Sequence, residues 1–306
     1  MDARLALAGT RTETTKIAIT SNVSVGDKQL LIVGGPCTVE DMEMMTQSAN
    51  ALKGSVNCIR GGVFKPRTSP YAFQGMREEG LEILAEVSRA SGLPTVTEVM
   101  SERHVEVADP LVDMLQIGSR NMQNFELLKA VGRATKPVIL KRGLCATIEE
   151  FIMAAEYIMS EGNHNVILCE RGIRSFDSFT RNVLDLGAVV ALKQLTHLPV
   201  VVDPSHAAGK RELVPDLALA AIACGADGLM IECHPRPEES VSDARQALSL
   251  QDMCDLVKRI EPIARAVGRT VPLAKPATAK ELVVSASSLQ PNARNVSVSA
   301  KATTAA

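Results

Sequence analysis

The chain has 306 residues, a formal net charge of −2 and no tryptophan. That charge offers no overall basic field for nucleic acid or for a membrane surface, and no run approaches the ~20 apolar residues of a membrane span. Because its seven cysteines lack CxxC spacing, a disulfide framework is not expected, and we predict a soluble, cytoplasmic protein with reduced thiols.

The first thirty residues comprise a terminal segment followed by a hairpin pattern. Residues 1–15 have too short an apolar stretch for a secretion signal, and we expect them to be disordered. Residues 16–30 alternate apolar and polar side chains around Gly26 and Asp27, which predicts a β-hairpin with its turn at those two residues. This hairpin would close the bottom of the domain that follows.

Eight short apolar runs come next, each compatible with a buried strand. They cover residues 30–34, 56–59, 94–97, 114–117, 137–140, 166–168, 199–202 and 228–231. Seven segments with helical periodicity lie between or after them, at residues 39–52, 81–90, 122–131, 147–159, 179–195, 211–224 and 250–267. Strands alternating with helices predict a parallel sheet. Eight repeats without a GxGxxG string favour a closed (β/α)8 TIM barrel, an α/β fold, over a doubly wound sheet.

The predicted catalytic domain, hairpin included, spans residues 16–268. Beyond it the composition shifts to Ala, Ser, Thr, Val and Pro with little periodicity, so we expect residues 269–306 to form a disordered tail. In a TIM barrel the carboxyl ends of all strands lie on one face, which holds the active site. Residues that follow the eight runs should therefore meet on that face.

Four potential metal ligands follow the first, seventh and eighth runs: Cys37, His206, Glu232 and, one loop later, Asp243. Taken alone, each would be an ordinary core or solvated residue. Because the eighth strand of a closed barrel neighbours both the first and the seventh, the four can converge on one ion. One thiolate, one imidazole and two carboxylates suit Mn²⁺, Fe²⁺, Co²⁺ or Zn²⁺ better than Ca²⁺. Asp203 would either orient His206 or cap its loop.

Six cations form a second set, located at or just past strand ends or in the loop at residues 61–69. They are Arg60, Lys65, Arg67, Arg120, Lys141 and Arg171. One such cation would be an ordinary surface charge, but surface charges have no reason to keep this register across four strands. Arg binds phosphate through bidentate contacts and Lys as a point charge, so the set predicts a site for phosphorylated anions. Glu98, which follows the third run, has no evident role.

Seven strings in the sequence together resemble a known family: GGPC, RGGVFKPRTSPYAFQG, QIGSR, LKRG, CERG, DPSHAAGK and IECHPRPEESVSDARQAL. The family is that of the 3-deoxy-7-phosphoheptulonate (DAHP) synthases, in the branch grouped with the 3-deoxy-octulosonate 8-phosphate synthases. The resemblance covers about residues 30–250. The string KPRTSP at residues 65–70 resembles the enzymes that use erythrose 4-phosphate, whereas the octulosonate enzymes typically show a KANRSS-like string there.

The resemblance implies a metal-dependent, aldol-type condensation of phosphoenolpyruvate with erythrose 4-phosphate, the first step of the shikimate pathway. The implied ligands of the divalent metal are Cys37, His206, Glu232 and Asp243. The implied contacts of phosphoenolpyruvate are Arg60, Lys65, Arg120, Lys141 and Arg171, and those of erythrose 4-phosphate are Arg67, Thr68 and Ser69. The implied catalytic residues are Lys65, His206 and Cys37, with the proton donor either Lys65 or His206 through a water.

Relatives of this kind form homo-oligomers, so the resemblance also implies a dimer or a tetramer. Two other functions stay open at this point. The chain could be an octulosonate 8-phosphate synthase that accepts arabinose 5-phosphate. It could also be a catalytically silent paralogue that binds phosphoenolpyruvate or partners a chorismate mutase.

Overall fold

The computed structural model describes residues 2–9, 11, 13–67 and 69–273. The strands in this part of the chain are β1 (Ile17–Ala18), β2 (Ser24–Val25), β3 (Leu31–Gly35), β4 (Cys58–Arg60), β5 (Thr95–Val99), β6 (Met114–Ile117), β7 (Val138–Lys141), β8 (Val166–Glu170), β9 (Val200–Val202), β10 (Gly228–His234) and β11 (Leu248–Ser249). The α-helices are α1 (Met42–Leu52), α2 (Arg77–Ser91), α3 (Glu102–Ala108), α4 (Phe125–Gly132), α5 (Ile148–Ser160), α6 (Leu186–Leu195), α7 (Pro204–Ala208), α8 (Val214–Ala223) and α9 (Leu250–Ala266).

Strands β3 to β10 form a closed parallel barrel, which confirms the predicted (β/α)8 fold. Each strand pairs with the next along the chain, and β10 pairs with β3 to complete the ring. At that junction Gly228 lies opposite Leu31, and a Cβ atom on the glycine would lie 2.2 Å from the Leu31 carbonyl oxygen. The close approach of the two strands therefore requires glycine at this position.

Two apolar clusters stabilise the barrel. One fills its interior with side chains from successive strands, among them Leu31, Val96, Ile139 and Val201. The other packs the outer faces of the strands against the surrounding helices. This division follows from strand geometry, because neighbouring residues point to opposite faces of a sheet.

The helix bounds follow local capping signals. Helix α5 begins with a capping box in which the side chains of Thr147 and Glu150 each accept a backbone N–H. Helix α6 begins at Leu186, capped by Asp185, so the segment that we predicted as helical from residue 179 starts as a loop. The sequence pattern does not predict helices α3 and α7. They have seven and five residues, less than two helical turns, which is too short to show a helical periodicity. None of the described helices is long and apolar enough to cross a membrane.

The hairpin is present, but its turn differs from the predicted one. Ile17 pairs with Val25, so the turn occupies residues 19–23 and Gly26 follows the second strand. Gly26 has φ of +86°, and a Cβ atom there would lie 2.2 Å from the Thr15 carbonyl oxygen; the glycine therefore permits a close backbone contact instead of forming the turn. Ile17 and Val25 pack into the interior cluster. Thr15 N–H donates to the carbonyl of His197, which precedes β9, so the hairpin closes the amino-terminal end of the barrel.

Residues near both ends of the described chain make specific contacts. The Glu156 carboxylate accepts the N–H groups of Arg4, Leu5 and Ala6 at 2.8–3.0 Å, which differs from the disordered N-terminal segment that we expected. Thr270 N–H donates to the Lys28 carbonyl. Such contacts depend on distant residues and leave no periodic pattern in the sequence. The predicted tail from residue 274 onward lies outside the described residues.

Candidate active site

The carboxyl ends of the barrel strands surround a cavity of about 420 Å³. All six predicted cations line it: Arg60, Lys65, Arg67, Arg120, Lys141 and Arg171. Cys37, His206 and Asp243 also line it, and Glu232 is fully buried at the end of β10. The topology of the closed barrel therefore brings the predicted metal ligands and the predicted cations to one place.

Four side chains form a compact group of potential metal ligands: Cys37, His206, Glu232 and Asp243. One donor atom from each lies within 4.8 Å of the other three. Cys37 Sγ is 3.1 Å from Asp243 Oδ2, and His206 Nε2 is 3.2 Å from Glu232 Oε1. Two of the four, Cys37 and Glu232, are buried.

The electrostatics of this group suit a cation. Burial lowers the pKa of His206 and so favours its neutral, coordinating form. Burial and the neighbouring Glu232 carboxylate raise the pKa of the Cys37 thiol to about 11, and a bound cation would favour its thiolate. Glu232 Oε1 is buried and has no hydrogen-bond partner in the described structure. A cation would satisfy this oxygen, so the residues fit a divalent metal.

Asp203 both caps the segment that carries His206 and contacts the His206 imidazole. Its Oδ1 caps the short helix α7 by accepting the His206 N–H at 2.9 Å, and its Oδ2 lies 2.7 Å from His206 Nδ1. Although burial alone would raise the pKa of Asp203, His206 and Lys141 hold it well below its ordinary value. An ionised Asp203 keeps the proton of His206 on Nδ1, so Nε2 is left to face Glu232.

The cations differ in how fully their donors are used. Arg60 is buried and approaches Glu232 at 3.1 Å, but its Nε and one terminal nitrogen have no partner with hydrogen-bond geometry among the described residues. Lys65 Nζ donates to the Cys37 carbonyl at 2.9 Å and lies 3.0 Å from its Sγ. Lys141 Nζ pairs with Asp203. Arg60 therefore lies in the cavity wall with two buried donors that no described residue satisfies.

Three predicted contacts of the sugar phosphate lie in the loop between β4 and α2. Arg67 lines the cavity and donates through Nε to the Phe73 carbonyl at 3.0 Å. Ser69 is exposed, is not among the cavity-lining residues, and accepts the Tyr71 N–H at 3.3 Å. Thr68 lies outside the described residues. The structure therefore brings Arg67 to the cavity and leaves Ser69 on the outer part of the loop.

Sequence reasoning assigned no role to Glu98, which lines the same cavity, and it missed other lining residues, among them Gln116, Arg174, Arg181 and Asn182. Glu98 accepts a hydrogen bond from Gln116 at 3.3 Å. Its carboxylate also occupies the space beside Gly118, where a Cβ atom would lie 2.0 Å from Glu98 Oε1. Arg174 and Arg181 belong to the loop between β8 and α6, well past the strand end. The only sequence signal for them was that two further arginines follow the CERG string within ten residues.

A buried ion pair between Arg142 and Glu170 lies next to two of the cavity cations, Lys141 and Arg171. Arg142 donates to Glu170 Oε2 at 2.9 Å and to Asp185 Oδ2 at 3.0 Å. Arg142 directly follows Lys141, and Glu170 directly precedes Arg171. The pair therefore ties the end of β7 to the end of β8 at the two positions that present these cations.

We expect Arg142→Met to lower the free energy of unfolding by about 3–5 kcal/mol, because it leaves the Glu170 carboxylate buried without its cationic partner. Urea denaturation monitored by circular dichroism measures this change. A matched control is Arg133→Met, since Arg133 pairs with Glu102 and Glu161 while half exposed, and such pairs contribute about 0–1 kcal/mol. Equal losses in the two variants would contradict a special role for the buried pair.

A closed (β/α)8 barrel with a candidate metal centre and a cationic cavity at its carboxyl face defines the class of barrel enzymes that act on phosphorylated anions. Comparison with known proteins then gives the family. The DAHP synthetase I family matches residues 14–264, and the chain belongs to that family. This confirms the resemblance read from the seven strings.

Individual relatives agree with this assignment. The chain is 47% identical over 248 residues to phospho-2-dehydro-3-deoxyheptonate aldolase of Thermotoga maritima, covering 81% of this chain and 73% of that protein. It is 30% identical over 266 residues to 2-dehydro-3-deoxyphosphooctonate aldolase of Syntrophobacter fumaroxidans, covering 81% and 91%. The crystal structure of the Thermotoga maritima DAHP synthase superposes with a TM-score of 0.85 at 44% identity, covering 88% of this chain and 79% of that one.

Proposed function

We propose that this chain condenses phosphoenolpyruvate with erythrose 4-phosphate to 3-deoxy-arabino-heptulosonate 7-phosphate and phosphate, with a divalent metal as cofactor. In this reaction C3 of phosphoenolpyruvate attacks the aldehyde carbon, water adds at C2, and phosphate leaves. The observation that carries the proposal is that the cations and the metal-ligand group share one cavity. The product would enter the shikimate pathway.

The charge of the cavity suits these substrates. Two phosphorylated substrates, one of them also a carboxylate, bring roughly −4 to −5 charges at neutral pH. Arg120 and Arg171 would bind the phosphate of phosphoenolpyruvate, and Lys141, Lys65 and Arg60 would contact its carboxylate and bridging oxygen. Arg67 would bind the phosphate of the aldose. Holding both anions in register removes much of the entropic barrier to their reaction.

Cys37, His206, Glu232 and Asp243 would hold the metal, which suits Mn²⁺, Fe²⁺, Co²⁺ or Zn²⁺. Bound there, the ion would act as a Lewis acid on the aldehyde oxygen. Lys65 is the better proton donor to the alkoxide that forms from the aldehyde oxygen, because its side chain lines the cavity. The proton of His206 is held by Asp203, and its other nitrogen faces Glu232.

The proposed sugar substrate can be tested by comparing two aldose phosphates. We expect faster product formation with erythrose 4-phosphate than with arabinose 5-phosphate, measured by mass spectrometry of the products from each sugar. The KPRTSP string and the higher identity to the heptonate relative support this expectation. A preference for the pentose would assign the chain to the octulosonate reaction instead. Absence of turnover after chelation and restoration of each candidate metal would identify a silent paralogue.

We expect Arg67→Ala to raise KM for erythrose 4-phosphate by about 10–100-fold, because a hydrogen bond to a charged group contributes about 1.5–3 kcal/mol. KM for phosphoenolpyruvate should change much less, since the other cations bind that substrate. Steady-state kinetics with each substrate varied in turn measures both constants. Arg103→Ala provides a control, because Arg103 is an exposed residue of α3 that pairs with Glu78. Equal increases in both KM values would argue against the assignment of Arg67.

The family resemblance also leads us to propose a homo-oligomer, either a dimer or a tetramer. Light scattering coupled to gel filtration measures its mass directly. A mass equal to that of one chain would contradict this proposal without affecting the proposed reaction.

A further inference from the structure

Gln246 is a buried amide, 2% exposed, beside the candidate metal centre, and it is not one of the four ligands. Its Nε2 donates to Glu232 Oε2 at 2.6 Å. Its Oε1 accepts a hydrogen bond from the Arg181 guanidinium at 3.2 Å. Both ends of the side chain are therefore used, one by a candidate metal ligand and one by a cation of the substrate cavity.

Chemistry fixes the orientation of this amide. An ionised carboxylate only accepts hydrogen bonds, and a guanidinium only donates them. The NH₂ group must therefore face Glu232, and the carbonyl oxygen must face Arg181. Neither glutamate nor methionine at position 246 could make both contacts.

Arg181 extends the chain of hydrogen bonds to a second ligand. The nitrogen that contacts Gln246 also donates to Asp243 Oδ1 at 3.1 Å. Gln246 N–H in turn donates to the Asp243 carbonyl at 3.0 Å. Asp243 has φ of +53°, a conformation that residues other than glycine rarely adopt, so these contacts hold an otherwise unfavourable backbone.

The two carboxylates are consequently held in the same way. Gln246 binds Oε2 of Glu232, whose Oε1 faces His206 Nε2 at 3.2 Å. Arg181 binds Oδ1 of Asp243, whose Oδ2 faces Cys37 Sγ at 3.1 Å. In each carboxylate one oxygen is anchored and the other is directed at the ligand group.

We propose that Gln246 and Arg181 are positioning residues that orient Glu232 and Asp243 for the metal, and that they link the metal centre to the loop between β8 and α6. The proposal deepens the proposed function, because it rests on these four residues binding a cation. Outer partners of metal ligands commonly contribute 10–100-fold to metal affinity. The same loop contributes Arg174 and Arg181 to the substrate cavity. The position of this loop and the orientation of the two carboxylates therefore depend on the same hydrogen bonds of Arg181.

The test is the affinity of the full-length, metal-free protein for Co²⁺, followed by titration calorimetry and by the thiolate-to-cobalt absorption that Cys37 would produce. We expect Gln246→Met to weaken Co²⁺ binding by about 10–100-fold and to alter the absorption spectrum. At saturating Co²⁺, any rise in KM for phosphoenolpyruvate should be smaller than the loss of Co²⁺ affinity, since Gln246 contacts Glu232 directly and reaches the substrate cavity only through Arg181. Gln251→Met is the matched control, because Gln251 is an exposed glutamine whose amide also donates to a carboxylate, that of Asp255, at 2.9 Å.

Arg181 provides a second variant that does not perturb the buried core, since its side chain is 40% exposed. We expect Arg181→Met to weaken Co²⁺ binding and Arg181→Lys to restore part of the loss, because lysine keeps a charge but cannot contact both partners in the same geometry.

Wild-type affinity and an unchanged spectrum in both Gln246→Met and Arg181→Met would overturn the positioning role. Tight Co²⁺ binding by the wild type without condensation would contradict only the proposed function. Failure of the wild type to bind Co²⁺ would contradict both.

Discussion

Replacing Cys37 with alanine should lower turnover by about 10³-fold or more, because a Lewis-acid metal contributes several kcal/mol to the transition state and each 1.36 kcal/mol is a factor of ten. Cys37 supplies the single sulfur donor of the ligand group. Phosphate release assayed across a titration of Mn²⁺ or Co²⁺ measures the loss. The fold should remain, since Cys37 is buried but belongs to neither of the two apolar clusters that stabilise the barrel.

Cys254→Ala is the control for this experiment. Cys254 lies on helix α9, and its thiol donates to the Ala51 carbonyl on the outer side of the barrel. We expect this variant to keep its activity and its metal dependence. Metal-dependent turnover that survives in Cys37→Ala would exclude the proposed centre.

The second large effect should come from Lys65→Met, which we expect to lower kcat by about 10²–10⁴-fold, the usual contribution of a positioned general acid. The Lys65 ammonium lies 3.0 Å from Cys37 Sγ and lines the cavity, so it can reach an oxygen that is bound beside that sulfur. Rapid-quench measurement of a single turnover separates this chemical step from binding. Because Lys65 would also contact phosphoenolpyruvate, KM for phosphoenolpyruvate should rise as well, by a smaller factor than kcat falls.

Lys53→Met is a suitable comparison, since Lys53 is an exposed residue that follows helix α1 and should leave both constants unchanged. A Lys65→Met variant with normal kcat and raised KM would show that Lys65 only binds substrate. The proton would then have to come from another group, such as His206 through a water.

The strands and the barrel were predictable because their signals are local. Each apolar run is short and is followed within a few residues by a charged or metal-binding side chain, and strand β6 was placed at residues 114–117 with both ends correct. The other barrel strands differ from the predicted runs by one to three residues at an end. Strand ends depend on pairing with neighbours, and the sequence of one strand does not contain that information.

The composition of the ligand group was predictable for a related reason. Once a closed parallel barrel is assumed, residues at the carboxyl ends of its first, seventh and eighth strands, β3, β9 and β10, must be neighbours at one face, and the structure places Cys37, His206 and Glu232 together there. Their roles stay predictions until metal binding is measured. Two predictions were wrong, the helical start at residue 179 and the hairpin turn, and helices α3 and α7 were not predicted. The N–H groups of Arg181 and Asn182 donate to the carbonyls of Ala208 and Ala207, and Ile17 and Val25 of the hairpin pack into the barrel interior, so both segments depend on distant parts of the chain.

The amino-acid sequence by itself determined the fold class, through apolar periodicity, and the family, through the seven strings that resemble the DAHP synthases. It also predicted the metal-ligand group and six of the cavity cations, because these residues follow strands. The tertiary structure decided which atoms face each other. Arg181 and Asp243 are 62 residues apart, and Arg142 and Glu170 are 28 apart. Hydrogen bonds between such residues arise only when the barrel closes and its loops fold over one face, so no local pattern could have predicted them.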